Sequence, residues 1–116
     1  MNRPLIIFGS APCVQDDLAR LPDHAWFDFM AVGLSSVKLR AVNQPIRYCA
    51  NNHNENIGAI KAITPEAKII GSEKRPGVDI VGPKSSGGPS GSSSITGALA
   101  ALKMGYRRII LCGCPL

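Results

Sequence analysis

Two short runs constrain this chain more than anything else in it. One is Leu5-Ile6-Ile7-Phe8, closed by Gly9; the other is Ile109-Ile110-Leu111-Cys112, closed by Gly113. Neither alternates polar with apolar residues, so neither suits a sheet with one face in water. A strand apolar on both faces belongs inside a parallel sheet. Both runs are therefore expected as central strands and as neighbours, with the last strand spanning residues 107–113. The first is followed by a turn and a helix: Ser10 suits an N-cap, Pro12 a first turn, and Asp16 and Asp17 the positive end of the helix dipole. Val14, Leu18 and Leu21 recur at helical spacing until Pro22. The last strand is preceded by a helix over residues 95–106, with Ile95, Leu99, Leu102 and Met104 as its packed face. Ala98, Ala100 and Ala101 allow close approach to a sheet, and Gly105 suits the C′ position.

The middle keeps the same rhythm. Further strands are expected near residues 28–33, 46–50 and 67–70, with a brief one at 78–81. Helices are expected around residues 35–42, with Ser35 or Ser36 as cap, and after the Asn-rich run, carrying Ile57, Ile60, Lys61 and Ile63 and ending before Pro65. Alternating strands and helices specify an α/β fold, a Rossmann-like three-layer sandwich with a mainly parallel sheet and helices on both faces. With 116 residues the chain is read as one domain, 1–116. Ligands in such sheets bind beyond the carboxyl ends of the strands.

Composition narrows the function classes. Apolar residues make up 45%, which excludes wholesale disorder. No apolar run approaches the roughly 18 residues of a membrane span. The stretch after Arg3 is too short for a signal peptide, so a cytoplasmic protein is expected. The net charge of +5 is scattered, with only Lys74-Arg75 and Arg107-Arg108 adjacent. Nucleic-acid binders cluster their basic residues and interleave aromatics; this chain does neither, and a small anionic ligand suits it better. Of the four cysteines, Cys112 and Cys114 have the wrong spacing for a zinc knuckle. No metal is expected. All four are read as reduced thiols, with Cys49 and Cys112 buried.

Three unusual segments fall at the carboxyl edge. Gly9, Ser10, Ala11 and Pro12 put backbone N–H groups at a helix start, where a phosphate is favoured; an ordinary strand-to-helix turn is the alternative. Asn51, Asn52, His53, Asn54 and Asn56 offer amides for sugar or base edges. His53 is the one candidate for proton transfer, although a lone histidine in a polar loop is more often solvent-exposed. His24 lies in another loop. Residues 82–94 are Gly, Pro and Ser apart from Lys84. They lack the Lys of a P-loop, but Ser92, Ser93 and Ser94 lead into a helix and add hydroxyl donors. A mobile loop capped by Ser94 is the alternative reading there.

Two of these segments together carry a resemblance. IIFGSAPCVQDDLARLP looks like the G-x-G-P-S-L opening of bacterial sialyltransferases related to the lipooligosaccharide enzymes. GGPSGSSSITGALAALKMGYRRIILCGCPL resembles their second nucleotide-binding segment: a Ser/Gly turn, a small-residue helix, Gly-Tyr, then a strand ending Gly-x-Asp or Gly-x-Pro. Motility-accessory-factor-like glycosyltransferases and small phage and prophage proteins share the pair, and the closing CGCPL looks most like the phage-type members. The resemblance implies a nucleotide-sugar fold holding a nucleoside phosphate or CMP-sugar. Gly9, Ser10, Ala11 and Pro12 would lie on one side of it, Ser92, Ser93 and Ser94 on the other, and Asn51 and Asn52 at ribose or base. It implies, for an active enzyme, inverting glycosyl transfer with a nucleoside phosphate leaving. This sequence departs in its first turn, and no His between His53 and Leu116 matches the family's catalytic base. The family also continues past this strand with acceptor-binding and lid elements, whereas the sequence stops at Leu116, as a fragment or a minimal core would. A non-catalytic phage or prophage interaction or assembly module is the alternative. A nucleotide-binding regulatory domain that forms a homo-oligomer over an open sheet edge is a third reading.

Overall fold

The computed structural model describes residues 3–83 and 93–114. Six strands form one wholly parallel sheet: β1 (Leu5–Phe8), β2 (Asp28–Val32), β3 (Tyr48–Ala50), β4 (Lys68–Gly71), β5 (Ile80–Val81) and β6 (Ile109–Cys112). Their order is β5-β4-β3-β2-β1-β6. The first and last strands are neighbours, with Leu5 opposite Ile109 and Phe8 opposite Cys112.

Side-chain alternation divides the core between two faces. Ile6, Phe8, Phe29, Ala31, Cys49 and Ile69 pack under α1 (Val14–Ala19), α2 (Gly33–Leu39) and α3 (Ile57–Ile63), contributing Val14, Leu18, Val37, Ile57 and Ile60. Leu5, Ile7, Met30, Tyr48, Ala50 and Ile70 pack under α4 (Ser93–Met104) with Ala100, Ala101 and Tyr106. This is the expected three-layer sandwich, with three helices on one face and one on the other. Every residue of β1 is fully buried, which accounts for its uniform apolarity.

The helix ends follow local chemistry. Gly105 takes φ +104° after α4; its N–H reaches Leu102 O, and the Tyr106 N–H reaches Ala101 O, closing a Schellman motif at the expected C′ glycine. Two expected caps are corrected. The α1 N-cap is Cys13, not Ser10, and it makes no side-chain capping bond. The next helix starts at Gly33, directly out of β2, and Ser36 lies inside it with its hydroxyl donating to Val32 O at 2.6 Å.

Two larger expectations are also corrected. β6 is not central: it is an edge strand, and its Leu111 is 40% exposed. The crossover from β5 brings the chain past β1 to the outer side of the sheet, while α4 packs mainly over β1 to β4. The packed face of α4 is the small one. Ser94, Thr96, Gly97, Ala100 and Ala101 are buried, whereas Ile95 and Leu102 face outward, Leu102 at 57% exposure. A Cβ on Gly97 would sit 2.6 Å from Met30 Sδ and 2.9 Å from Ala50 Cβ. The helix axis therefore lies close to the sheet around Gly97, and of the four large residues expected on the packed face Met104, at the helix end, does pack on the core.

Candidate functional site

The amino edge of the sheet is held by one buried carboxylate. Asp28, 6% exposed, accepts from Tyr106 OH at 2.6 Å and faces Arg47 Nη1 at 3.3 Å and Arg3 Nε at 3.4 Å. Arg3 also donates to Ala25 O and Phe27 O, and Tyr48 OH meets Tyr106 OH at 3.2 Å. Asp28 raises the Arg47 pKa by charge attraction, while burial and then the Asp28 hydrogen bond push the Tyr106 phenol up. This satisfied cluster ties β2, β3 and β6 together. Two wider hollows of about 360 and 370 Å³ open on the same side, around Pro45 and Ile46 and around Lys68 and Ile80. Both are open, and both lie away from the strand ends where parallel sheets hold ligands.

At the carboxyl edge the first turn is already engaged within the fold. The Gly9 N–H donates to Cys112 O at 2.9 Å, and the Ala11 N–H to Gly113 O at 3.1 Å. Pro12 has no N–H to offer. Asp17 accepts from the Gly113 N–H at 2.9 Å, so a carboxylate of the protein itself meets the start of α1. That helix has only six residues. Gly9 serves close approach: a Cβ there would lie 2.3 Å from Gly113 O. The same carboxylate acts on Cys13, which is exposed; its hydrogen bond to Asp17 holds the thiol above its ordinary value.

The gap between the first turn and the start of α4 is occupied by Cys114. Its thiol donates to Ile7 O at 3.3 Å, and both the Gly9 backbone and the Ser94 side chain act on it. Burial is the largest influence on this thiol and raises its pKa. The two segments expected to converge, around Gly9 and around Ser94, thus meet at one thiol. Ser94 itself is buried.

The more open part of the edge lies beyond β3 and β4. The Asn52 N–H donates to Ser93 Oγ at 3.1 Å, and its Nδ2 to Thr96 Oγ1 at 3.2 Å, fastening the end of β3 to the first turn of α4. Asn51, 2% exposed, donates from Nδ2 to His53 O at 2.7 Å. That bond fixes the amide orientation, and Asn51 Oδ1 is left buried with no hydrogen-bond partner among the described residues. Such an orphan acceptor is costly unless a donor reaches it. Asn51 lines a cleft with Asn52, Asn54, Ser72, Glu73 and Arg75, over Ile57, Gly71 and Val78. Its room is about 40 Å³, enough for a hydroxyl or amino group but not for a whole nucleotide.

His53 lies outside this arrangement. It is 64% exposed, and its Nδ1 faces Glu55 at 3.7 Å. His24 is also elsewhere, bonded to Leu18 O and tilted against Phe29. Ser92, with Lys84 and the residues between them, lies outside the described residues, as do Pro115 and Leu116. Sequence reasoning missed Thr96, Ser72 and Arg75. Ser72 directly follows β4, so the strand-end rule applied to every strand would have found it. Among the described residues there is no cluster of three or more metal-ligating side chains, and no helix is long and apolar enough to cross a membrane. No family model, curated protein or solved structure matches this chain.

Proposed function

We propose that this chain is a binding domain for a small phosphate-bearing ligand, a nucleoside phosphate or a nucleotide sugar of the CMP-sugar type. The ligand would lie at the carboxyl edge between β3, β4 and α4. The observation that carries this reading is Asn51 Oδ1, a buried acceptor without a partner among the described residues, at the edge where parallel sheets bind ligands. It would accept from a ribose hydroxyl or a base amino group seated in the adjoining cleft. The phosphate would lie over the first turn of α4, beside Ser93, where a twelve-residue helix presents its positive end with no acidic residue in its first turn. Gly9, Ser10, Ala11 and Pro12 play a smaller part than the resemblance to sialyltransferase-type and motility-accessory-factor-like enzymes implies, because Gly9 and Ala11 spend their N–H groups on β6 and the turn after it. Binding rather than catalysis is proposed, since His53 points into solvent beside Glu55.

Calorimetric titration with CMP, UMP and a CMP-sugar tests this reading. The unmodified protein is expected to bind at least one of them. Ser93→Asp keeps an acceptor for the Asn52 N–H but sets a negative charge at the helix start, and it should abolish binding while leaving the fold intact. Absence of binding at about 1 mM ligand, weaker than about −4 kcal/mol, would remove the nucleotide reading. The non-catalytic interaction or assembly module would then be the better account, and the β6 edge, paired only with β1 among the described residues, favours it.

A further inference from the structure

The two edges of the sheet are built differently. β5 has only two residues and runs into Gly82 and Pro83. At its start the Asp79 carboxylate accepts the Ile69 N–H at 2.8 Å, so a side chain stands in for ladder bonding. That bond faces β4; it is the two-residue length and the Pro83 that follows that keep this edge from recruiting another strand. β6 is twice as long as β5. Its four residues are Ile, Ile, Leu and Cys, without Pro, Lys or a bulge, and among the described residues it pairs only with β1.

The direction of its free groups follows from the ladder. The Leu5 N–H donates to Arg108 O, and the Gly9 N–H to Cys112 O, so Arg108, Ile110 and Cys112 turn their backbone toward β1. Ile109 and Leu111 therefore turn their N–H and C=O groups outward. The charges around the strand are also arranged along it. Arg107 and Arg108, both exposed, precede it. Asp17 binds the Gly113 N–H just after it, with exposed Asp16 beside it on α1.

We propose that β6 pairs antiparallel with β6 of a second copy of this chain, about a two-fold axis through Ile110 and normal to the sheet. Ile109 then faces Leu111 of the second copy, and their outward N–H and C=O groups close hydrogen-bonded pairs. Arg108 comes opposite Cys112 of the second copy. Its side chain shares a face with Ile110 and Cys112, the face that carries α1, so it lies beside Asp16 and Asp17 of the other molecule. Symmetry makes this charge pairing twice. On the opposite face Leu111 is covered by Ile109 of its mate. An unrelated strand could satisfy the backbone groups, but a base at one end and an acid at the other are matched by this same edge reversed.

Sedimentation velocity over a concentration series, with hydrogen exchange at each concentration, tests the pairing. A dimer is expected whose Ile109 and Leu111 amides are protected and lose protection on dilution. Arg108→Glu should weaken the dimer about tenfold or more, and Asp16→Arg added to it should restore much of that loss. Leu111→Pro removes one outward N–H without touching the β1 ladder and should yield a folded monomer. If that variant does not fold, the exchange data on the unmodified chain decide. A monomer at every concentration up to about 1 mM would overturn the proposal, as would a dimer whose Ile109 and Leu111 amides exchange at monomer rates.

Discussion

Gly9 illustrates how a residue can be recognised as a point of close approach before its partner is known. A glycine closing an apolar strand announces close approach, but its letter does not say what approaches. Here it is the Gly113 carbonyl, and Gly113, at φ +58°, leaves no room of its own beside Val14. Because both contacts involve main chain or Cβ, neither can swing aside. Gly9→Ala is therefore expected to destabilise by about 2–3 kcal/mol in urea unfolding. Ser10→Ala, at an exposed neighbouring position, should stay within about 0.5 kcal/mol. Asn51 and Asn52 were legible as candidates because a polar run empties out of a strand. That one amide would keep an orphan acceptor was not, since it depends on where the His53 carbonyl lies.

At the scale of elements, hydropathy located the pieces and misjudged two surroundings. The four apolar residues of β6 look the same in sequence whether a strand is central or an edge awaiting a partner, and only the crossover direction separates the two. In α4 hydropathy points to the large residues as the packed face because burial usually favours bulk. Distance reverses that rule where the helix comes closest: beside Gly97, which meets Met30 and Ala50, there is room for small residues only, while Met104 at the helix end still packs on the core. Gly97→Ala gains helix propensity of about 1 kcal/mol but must displace Ala50 Cβ, which is fixed to the backbone. A net loss of about 1–2 kcal/mol is expected in thermal unfolding. Leu102→Gln, on the outer face, should be nearly neutral.

For the molecule as a whole, alternation of strand and helix made the architecture readable, because each apolar run had to be covered on both faces. The same burial sets an alkaline limit. Desolvation pushes the Cys49 thiol up to about 12 and is the largest cause raising Cys112 to about 11, and the Tyr106 phenol is raised as well. Groups whose folded pKa exceeds the unfolded one stabilise fully below the unfolded value and lose that contribution as pH rises through the folded one. The melting temperature is thus expected to hold near neutrality and fall from about pH 9 upward, with Cys49 alone contributing a slope of about 1.4 kcal/mol per pH unit between its unfolded and folded values. A melting temperature flat from pH 8 to 11 would show that these groups ionise in place.

The pairing of β1 with β6 also bears on how the chain is made. β1 is made before the other described strands and finds β2 soon after, but its other side waits for β6. Throughout that interval a fully apolar strand presents an unpaired flank, the condition under which nascent chains associate wrongly or recruit chaperones. Ribosome-stalled chains released before Arg107 should then aggregate or remain chaperone-bound, although five of the six strands are already present.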